Sequence, residues 1–165
     1  MTPRPVPQQV AEAAIRLLVA RAQTVATAES LTGGLVAAAL TSVPGASAVF
    51  RGGIVAYAAD LKASLLDVPA DLLRQHGTVH PEVAVAMADG ARRRLASDFG
   101  VATTGVAGPD PVDGLTVGTV HICVSTTAGS RGQLLELTGD RQQIRQSTVA
   151  HVLELLVGAL MEEIQ

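Results

Sequence analysis

The chain has 165 residues, of which 48% are hydrophobic, 16% charged and only 2% aromatic, and its formal net charge is −3. That balance excludes a disordered chain and argues against a general nucleic-acid binder, which would carry a basic surface. It suits one domain with a core of Ala, Val, Leu and Ile. The single cysteine, Cys123, excludes a disulfide scaffold and a cysteine-built zinc site. No apolar run reaches the ~18 residues of a membrane span. The opening MTPRPVPQQ lacks the apolar core of a signal peptide, so a cytoplasmic protein with no membrane partner is expected.

Periodicity predicts the elements in chain order. Residues 7–22 read as a helix and 23–28 as a short strand. ESLTGG leads into a small-residue helix that ends at Pro44 and Gly45. Residues 51–57 read as a second strand. ADLKASLLDV reads as a short helix stopped by Pro69, and Pro69 to His76 as a further turn closed by Gly77. Residues 81–97 read as a helix with Pro81 in its first turn. FGVATTGVAGP reads as a buried strand running into a Gly/Pro loop. TVGTVHICVSTT and SRGQLLELT read as a hairpin around Ala128 to Arg131, and 140–163 as the last helix. Mixed strands and helices predict a three-layer α/β/α sandwich with a mixed, mainly parallel sheet.

Four segments hold residues with chemistry. Ser30, in ESLTGG, sits where a strand yields to a helix. It suits either a helix N-cap or a nucleophile whose neighbouring amides, around Thr32, Gly33 and Gly34, would stabilise an oxyanion. The motif is neither a GxSxG elbow nor a phosphate-binding P-loop. The second segment, YAADLK, holds the sole lysine, Lys62, in a chain whose other basic residues are all arginine. Lysine can lose its proton on burial; arginine cannot. If the two preceding strands are parallel, Ser30 and Lys62 emerge at one sheet edge, and a neutral lysine can act as the base for a serine. Tyr57, the sole tyrosine, suits a hydrogen-bond donor in the site or an amphipathic core residue.

The third segment, TTGVAGPD, places Thr104 and Gly105 at the same edge, where Thr104 would bond to the lysine or the substrate. Asp110 and Asp113 fit a solvated loop better than a metal site, and no metal is expected. In the fourth, GDRQQIR, Arg141 and Arg145 share a helix face. With the helix N-terminus they could hold a phosphate, or they form a surface pair with Asp140 as the cap. The Arg92–Arg94 run reads as a solvated face, and Cys123 as a small buried hydrophobe.

Taken together and in order, TVATAESLTGG, FRGGIVAYAADLKASLLDVP, HGTVHPEVAVAMADGAR, TTGVAGPDP, VGTVHICV and LTGDRQQIRQSTV resemble the CinA C-terminal domain family, across about residues 8–163. The resemblance implies the α/β/α fold. It also implies hydrolysis of the carboxamide of nicotinamide mononucleotide to nicotinate mononucleotide and ammonia, without a cofactor. The family's serine, lysine and assisting hydroxyl fall on Ser30, Lys62 and Thr104, and its tyrosine on Tyr57. Substrate contacts are expected from Thr32, Gly33, Gly34, Tyr57, Gly105, Arg141 and Arg145. Some members carry a second domain; a single CinA-type domain is expected over residues 1–165.

The chain departs from the family pattern at Leu31, where Cys is common, and at His80, where Ser is usual. It departs again at Pro111-Val112, where Gly-Gly is usual. The expected partner is a small nucleotide, with no direct nucleic-acid binding, and the Ala-rich helices leave room for a homo-oligomer. An amidase for another small amide and a non-catalytic nucleotide-binding or regulatory module are the alternatives.

Overall fold

A computed structural model describes residues 6–162. Helices α1 (Pro7–Arg21), α2 (Leu35–Thr41), α3 (Ala59–Leu66), α4 (Ala70–His76), α5 (Pro81–Arg94) and α6 (Arg141–Glu162) surround five strands. The strands are β1 (Val25–Glu29), β2 (Phe50–Val55), β3 (Phe99–Gly105), β4 (Thr119–Thr126) and β5 (Gly129–Glu136). They form one sheet in the order β2-β1-β3-β4-β5. β1 pairs in parallel with β2 and β3, while β4 runs antiparallel to β3 and β5. Four of the five strands therefore point one way and only β4 is reversed, which is the mixed, mainly parallel α/β/α sandwich expected.

Two cores sandwich the sheet. On one face Ile15, Leu18, Leu40, Ile144, Leu153 and Leu156 of α1, α2 and α6 meet Val25, Val101 and Ile122. On the other, Val83, Met87, Ala88 and Ala91 of α5 and Leu66 of α3 meet Ala26, Ala28, Ala102 and Cys123. The second core is built from small side chains, so backbones approach closely there. A Cβ on Gly100 of β3 would stand 1.9 Å from Ala88 O, and one on Gly90 of α5 would stand 1.9 Å from Leu66 O. Only glycine permits either contact. The Gly90 contact lets α3 lie directly on α5, and Lys62, one turn before Leu66, is carried inward with it.

Element boundaries moved where capping chemistry was unreadable. α5 ends at Arg94 rather than near 97, because Ala96 takes a left-handed φ of 50° and the Ser97 N–H returns to Arg92 O. That closing geometry usually calls for glycine, and the sequence offers alanine. The hairpin turns one step earlier than expected, at Thr127-Ala128, with Thr126 facing Gly129. The Thr126 hydroxyl closes it by accepting from Ala128 N and donating to Gly129 O, both at 3.2 Å. β4 begins only at Thr119, because residues 117–118 form a turn. The small-residue helix after ESLTGG stops at Thr41. The expected end of the last helix at 163 lies outside the described residues. Arg92 is not part of a solvated face: it lies against Asp89 at 2.6 Å and is 15% exposed. Among the described residues no helix is long and apolar enough to cross a membrane.

Candidate active site at the carboxyl edge

The three parallel strands β2, β1 and β3 end side by side. The connection from β1 to β2 passes through α2 on one face of the sheet and that from β2 to β3 through α3 to α5 on the other, so the carboxyl end of β1 is the switch point where α/β sheets leave a crevice. Ser30 follows β1 directly and donates its amide to Thr103 O at 3.1 Å. The Ala56 amide, just past β2, bonds to Glu29 O at 2.9 Å.

The Ser30 N-cap reading does not hold. α2 starts at Leu35, and its amides at Val36 and Ala37 donate to the Glu29 carboxylate at 2.8 and 3.1 Å. Glu29 is fully buried, and its charge sits against the positive end of the helix. Sequence reasoning passed over it. The available signal was an acid closing an otherwise apolar and threonine-bearing strand, VATAE. With the cap assigned to Glu29, the Ser30 hydroxyl faces Lys62 instead.

Lys62 reaches Ser30 from the inner face of α3. It is completely buried, and Nζ lies 3.0 Å from Ser30 Oγ, 2.7 Å from Ala56 O and 3.3 Å from Tyr57 O. An ammonium would donate to all three. A neutral amine has two N–H bonds and one lone pair. The two carbonyls accept its hydrogens, which leaves the lone pair for the Ser30 hydroxyl proton. Burial also pushes Lys62 down from its ordinary 10.5 to about 8, because desolvation penalises the charged form. Geometry and electrostatics thus favour the same protonation change.

Thr104 is buried at the end of β3, but its hydroxyl donates to Thr78 O at 2.7 Å rather than to Lys62. Its lone pairs remain available as acceptors. The neighbouring Thr103, which the sequence did not single out, pairs with Thr32 through their hydroxyls at 2.7 Å. Thr32 is therefore anchored into the sheet rather than aimed at a ligand through its side chain. Gly33 N–H is spent on Ser30 O at 3.0 Å. Among the described residues the amides of Leu31, Thr32 and Gly34 have no intramolecular acceptor. They are the donors left in this turn for an external oxyanion.

A cavity of about 270 Å³ opens beside Ser30. Leu31, Tyr57, Thr78, Gly105, Asp110 and Arg141 contribute to its walls. Tyr57 is 58% exposed, not a core residue. Its hydroxyl accepts from Arg141 Nη2 at 2.9 Å, while Arg141 Nη1 donates to Gly108 O. Arg145 is placed otherwise: Nε donates to Leu31 O at 2.9 Å and Nη2 to Thr32 O at 3.3 Å. The start of α6 is closed by a reciprocal box in which Gln143 N donates to Asp140 Oδ1 and Asp140 N to Gln143 Oε1. The two arginines share a face and together line a second cavity of about 280 Å³ with Leu35, Gln142 and Gln146, but of the two only Arg141 also lines the cavity beside Ser30.

Two of the departures have local explanations. His80 caps α5, its Nδ1 accepting from Glu82 N at 3.2 Å, and its ring stacks on His76 at 4.0 Å. His121, opposite Thr104 across the β3–β4 pairing, is held below the ordinary histidine range by burial and by the neighbouring charge of His80. Val112 joins Asp110 at the cavity wall, so this departure reaches the pocket through Val112. Cys123 is buried, and burial pushes its thiol up to about 12. A larger cleft, about 430 Å³ beside His121 and Leu134, lies along α5 and the β4–β5 hairpin, away from the serine–lysine pair.

A three-layer domain with a buried lysine bonded to a partly exposed serine at the carboxyl edge of its sheet is the class the fold and site define. By sequence the chain belongs to the CinA C-terminal domain family, whose model matches residues 7–160. It is 51% identical over 140 residues to a CinA-like protein from Frankia casuarinae, covering 85% of this chain and 32% of that protein. It is 45% identical to a CinA-like protein from Parasynechococcus marenigrum, covering 93% and 38% respectively. The chain thus spans about a third of the length of these curated relatives. The crystal structure of the competence/damage inducible protein CihA from Agrobacterium tumefaciens is similar with a TM-score of 0.90 at 36% identity, covering 97% of this chain and 99% of that one. A CinA superfamily protein from Klebsiella pneumoniae is similar with a TM-score of 0.93 at 28% identity, covering 96% and 99%.

Proposed function

We propose that this protein is a carbon–nitrogen hydrolase that converts nicotinamide mononucleotide to nicotinate mononucleotide and ammonia through a serine–lysine dyad. The observation that carries this reading is the 3.0 Å separation of the fully buried Lys62 Nζ from Ser30 Oγ at the wall of the cavity. Neutral Lys62 takes the Ser30 proton as Oγ attacks the carboxamide carbon. The amides of Leu31, Thr32 and Gly34 receive the developing oxyanion. As the C–N bond breaks, Lys62 returns the proton to the departing nitrogen, and ammonia leaves an ester on Ser30. Water, deprotonated by Lys62, then attacks that ester. The acid leaves, and Ser30 regains its proton. Thr104, with its own proton committed to Thr78 O, serves as an acceptor for Lys62 or the substrate amide.

Arg141 is the cation best placed for the nucleotide phosphate, since it lines the cavity and already reaches across to Tyr57. The reading is tested by ammonia release from nicotinamide mononucleotide and from nicotinamide. Wild type is expected to act on the mononucleotide, and Ser30→Ala and Lys62→Arg to be inactive but folded. Turnover retained in Lys62→Arg would remove lysine as the base, because arginine cannot deprotonate in this range. Binding of the mononucleotide without ammonia release by wild type would instead favour a non-catalytic module.

A further inference from the structure

Arg145 reaches neither the cavity wall beside Ser30 nor Tyr57. Its guanidinium spans two successive carbonyls, Leu31 O at 2.9 Å through Nε and Thr32 O at 3.3 Å through Nη2. The fork geometry of arginine suits this two-point grip, whereas a lysine is a single point charge. In a planar trans peptide the C=O and the N–H point in opposite directions. Drawing Leu31 O toward α6 therefore turns the Thr32 N–H away from α6. Drawing Thr32 O the same way turns the Gly33 N–H away too, and the Gly33 N–H does end on Ser30 O at 3.0 Å. The second peptide reports the direction: away from Arg145 is toward the Ser30 main chain. The Thr32 N–H, on the adjoining peptide and without an intramolecular acceptor, is turned to that side as well.

The segment needs such a hold. Gly33 and Gly34 follow with φ of 57° and 104°, and glycines of that kind let the intervening peptides rotate at little cost. Other restraints act on neighbouring groups: Glu29 holds the amides of Val36 and Ala37, the Thr32 hydroxyl pairs with Thr103, and the Leu35 amide also donates to Thr32 O at 3.0 Å. None of them grips the Leu31–Thr32 peptide itself.

We infer that Arg145 is a positioning residue that sets the orientation of the oxyanion-binding peptides after Ser30, and not a ligand of the substrate phosphate. This inference rests on the serine–lysine reading above. It predicts a specific kinetic signature. Arg145→Met should lower kcat for ammonia release from nicotinamide mononucleotide on the order of 100-fold, the scale of a misaimed catalytic donor. KM should stay within about twofold of wild type. The rising limb of the pH–rate profile should remain near 8, because Lys62 is untouched. Arg145→Lys should recover only part of the loss, since it can reach one carbonyl but not both.

Labelling of Ser30 by a fluorophosphonate gives a second readout that does not depend on the amide. Wild type should label at Ser30, and Arg145→Met should label at least about 10-fold more slowly, because the phosphonyl oxygen uses the same donors. Unchanged kcat with a raised KM for the mononucleotide would make Arg145 a phosphate ligand and overturn the inference. Activity lost only in proportion to the folded fraction, measured by thermal melting, would overturn it too. If wild type labels at Ser30 but hydrolyses no amide tested, the substrate assignment fails alone and the labelling rates decide the role of Arg145. If wild-type Ser30 does not label, the serine–lysine reading fails and this inference falls with it.

Discussion

Replacing Lys62 by methionine separates the chemistry of the buried amine from its cost to the fold. In the native protein Lys62 titrates near 8; in the unfolded chain it should return to 10.5. Between these values the unfolded chain holds a proton that the folded one has released, so stability rises with pH across that window. Below about 8 both states are protonated, and burial of the ammonium weighs against folding. The full difference is about 3 kcal/mol, reached only above 10.5. Between pH of about 7 and about 9.5 it amounts to about 2 kcal/mol.

Urea unfolding of wild type and Lys62→Met at those two pH values measures it directly. All other titrating groups are common to both proteins and cancel in the difference. Methionine also leaves the Ala56 and Tyr57 carbonyls without their donor, so the pH dependence of the difference, not its offset, is the quantity read. Wild type should gain about 2 kcal/mol on the variant as pH rises. A flat difference would mean that Lys62 is not desolvated, and the account of a neutral base would fail. The same titration should set the activity of wild type, with kcat/KM climbing toward a plateau above about pH 8.

Four further outcomes follow from the packing and the cavity. Gly90→Ala places a methyl 1.9 Å from Leu66 O and should destabilise by about 3 kcal/mol. It should also reduce turnover by displacing α3 and Lys62. Gly158→Ala, in the interior of α6 with open space around its Cβ position, should instead stabilise by about 0.5–1 kcal/mol; paired denaturation curves compare the two. Cys123, with its thiol near 12 and no solvent exposure, should resist maleimide at pH of about 8 until the protein is unfolded, which mass spectrometry resolves. Arg141→Met should raise KM for the mononucleotide while leaving kcat within a few fold, and should not alter KM for a phosphate-free amide; an unchanged KM would refute its assignment to the phosphate.

The amino-acid sequence by itself determined the layer order, the element types and the meeting of Ser30 with Lys62. Those signals are local: hydrophobic period, a lone lysine among arginines, and glycine-rich turns after apolar strands. It also placed Ser30 and Lys62 at one sheet edge, because parallel strands deliver their following residues together. Tertiary structure alone decided who does what at that edge. Ser30 and Glu29 are adjacent, and either could cap α2; only the fold buries Glu29 against the helix amides and turns Ser30 toward Lys62.

Arg141 and Arg145 are indistinguishable by spacing, yet one lines the cavity and the other grips the turn behind it. Thr104 carries the expected hydroxyl, but its partner is Thr78, 26 positions earlier. Helix ends shifted for a related reason, since Ala96 adopts a glycine-like conformation that its neighbours impose. Periodicity reports which face of an element is apolar. Hydrogen-bond partners are set by which segments far apart in the chain come within about 3 Å of each other, and that depends on the packing of all three layers at once.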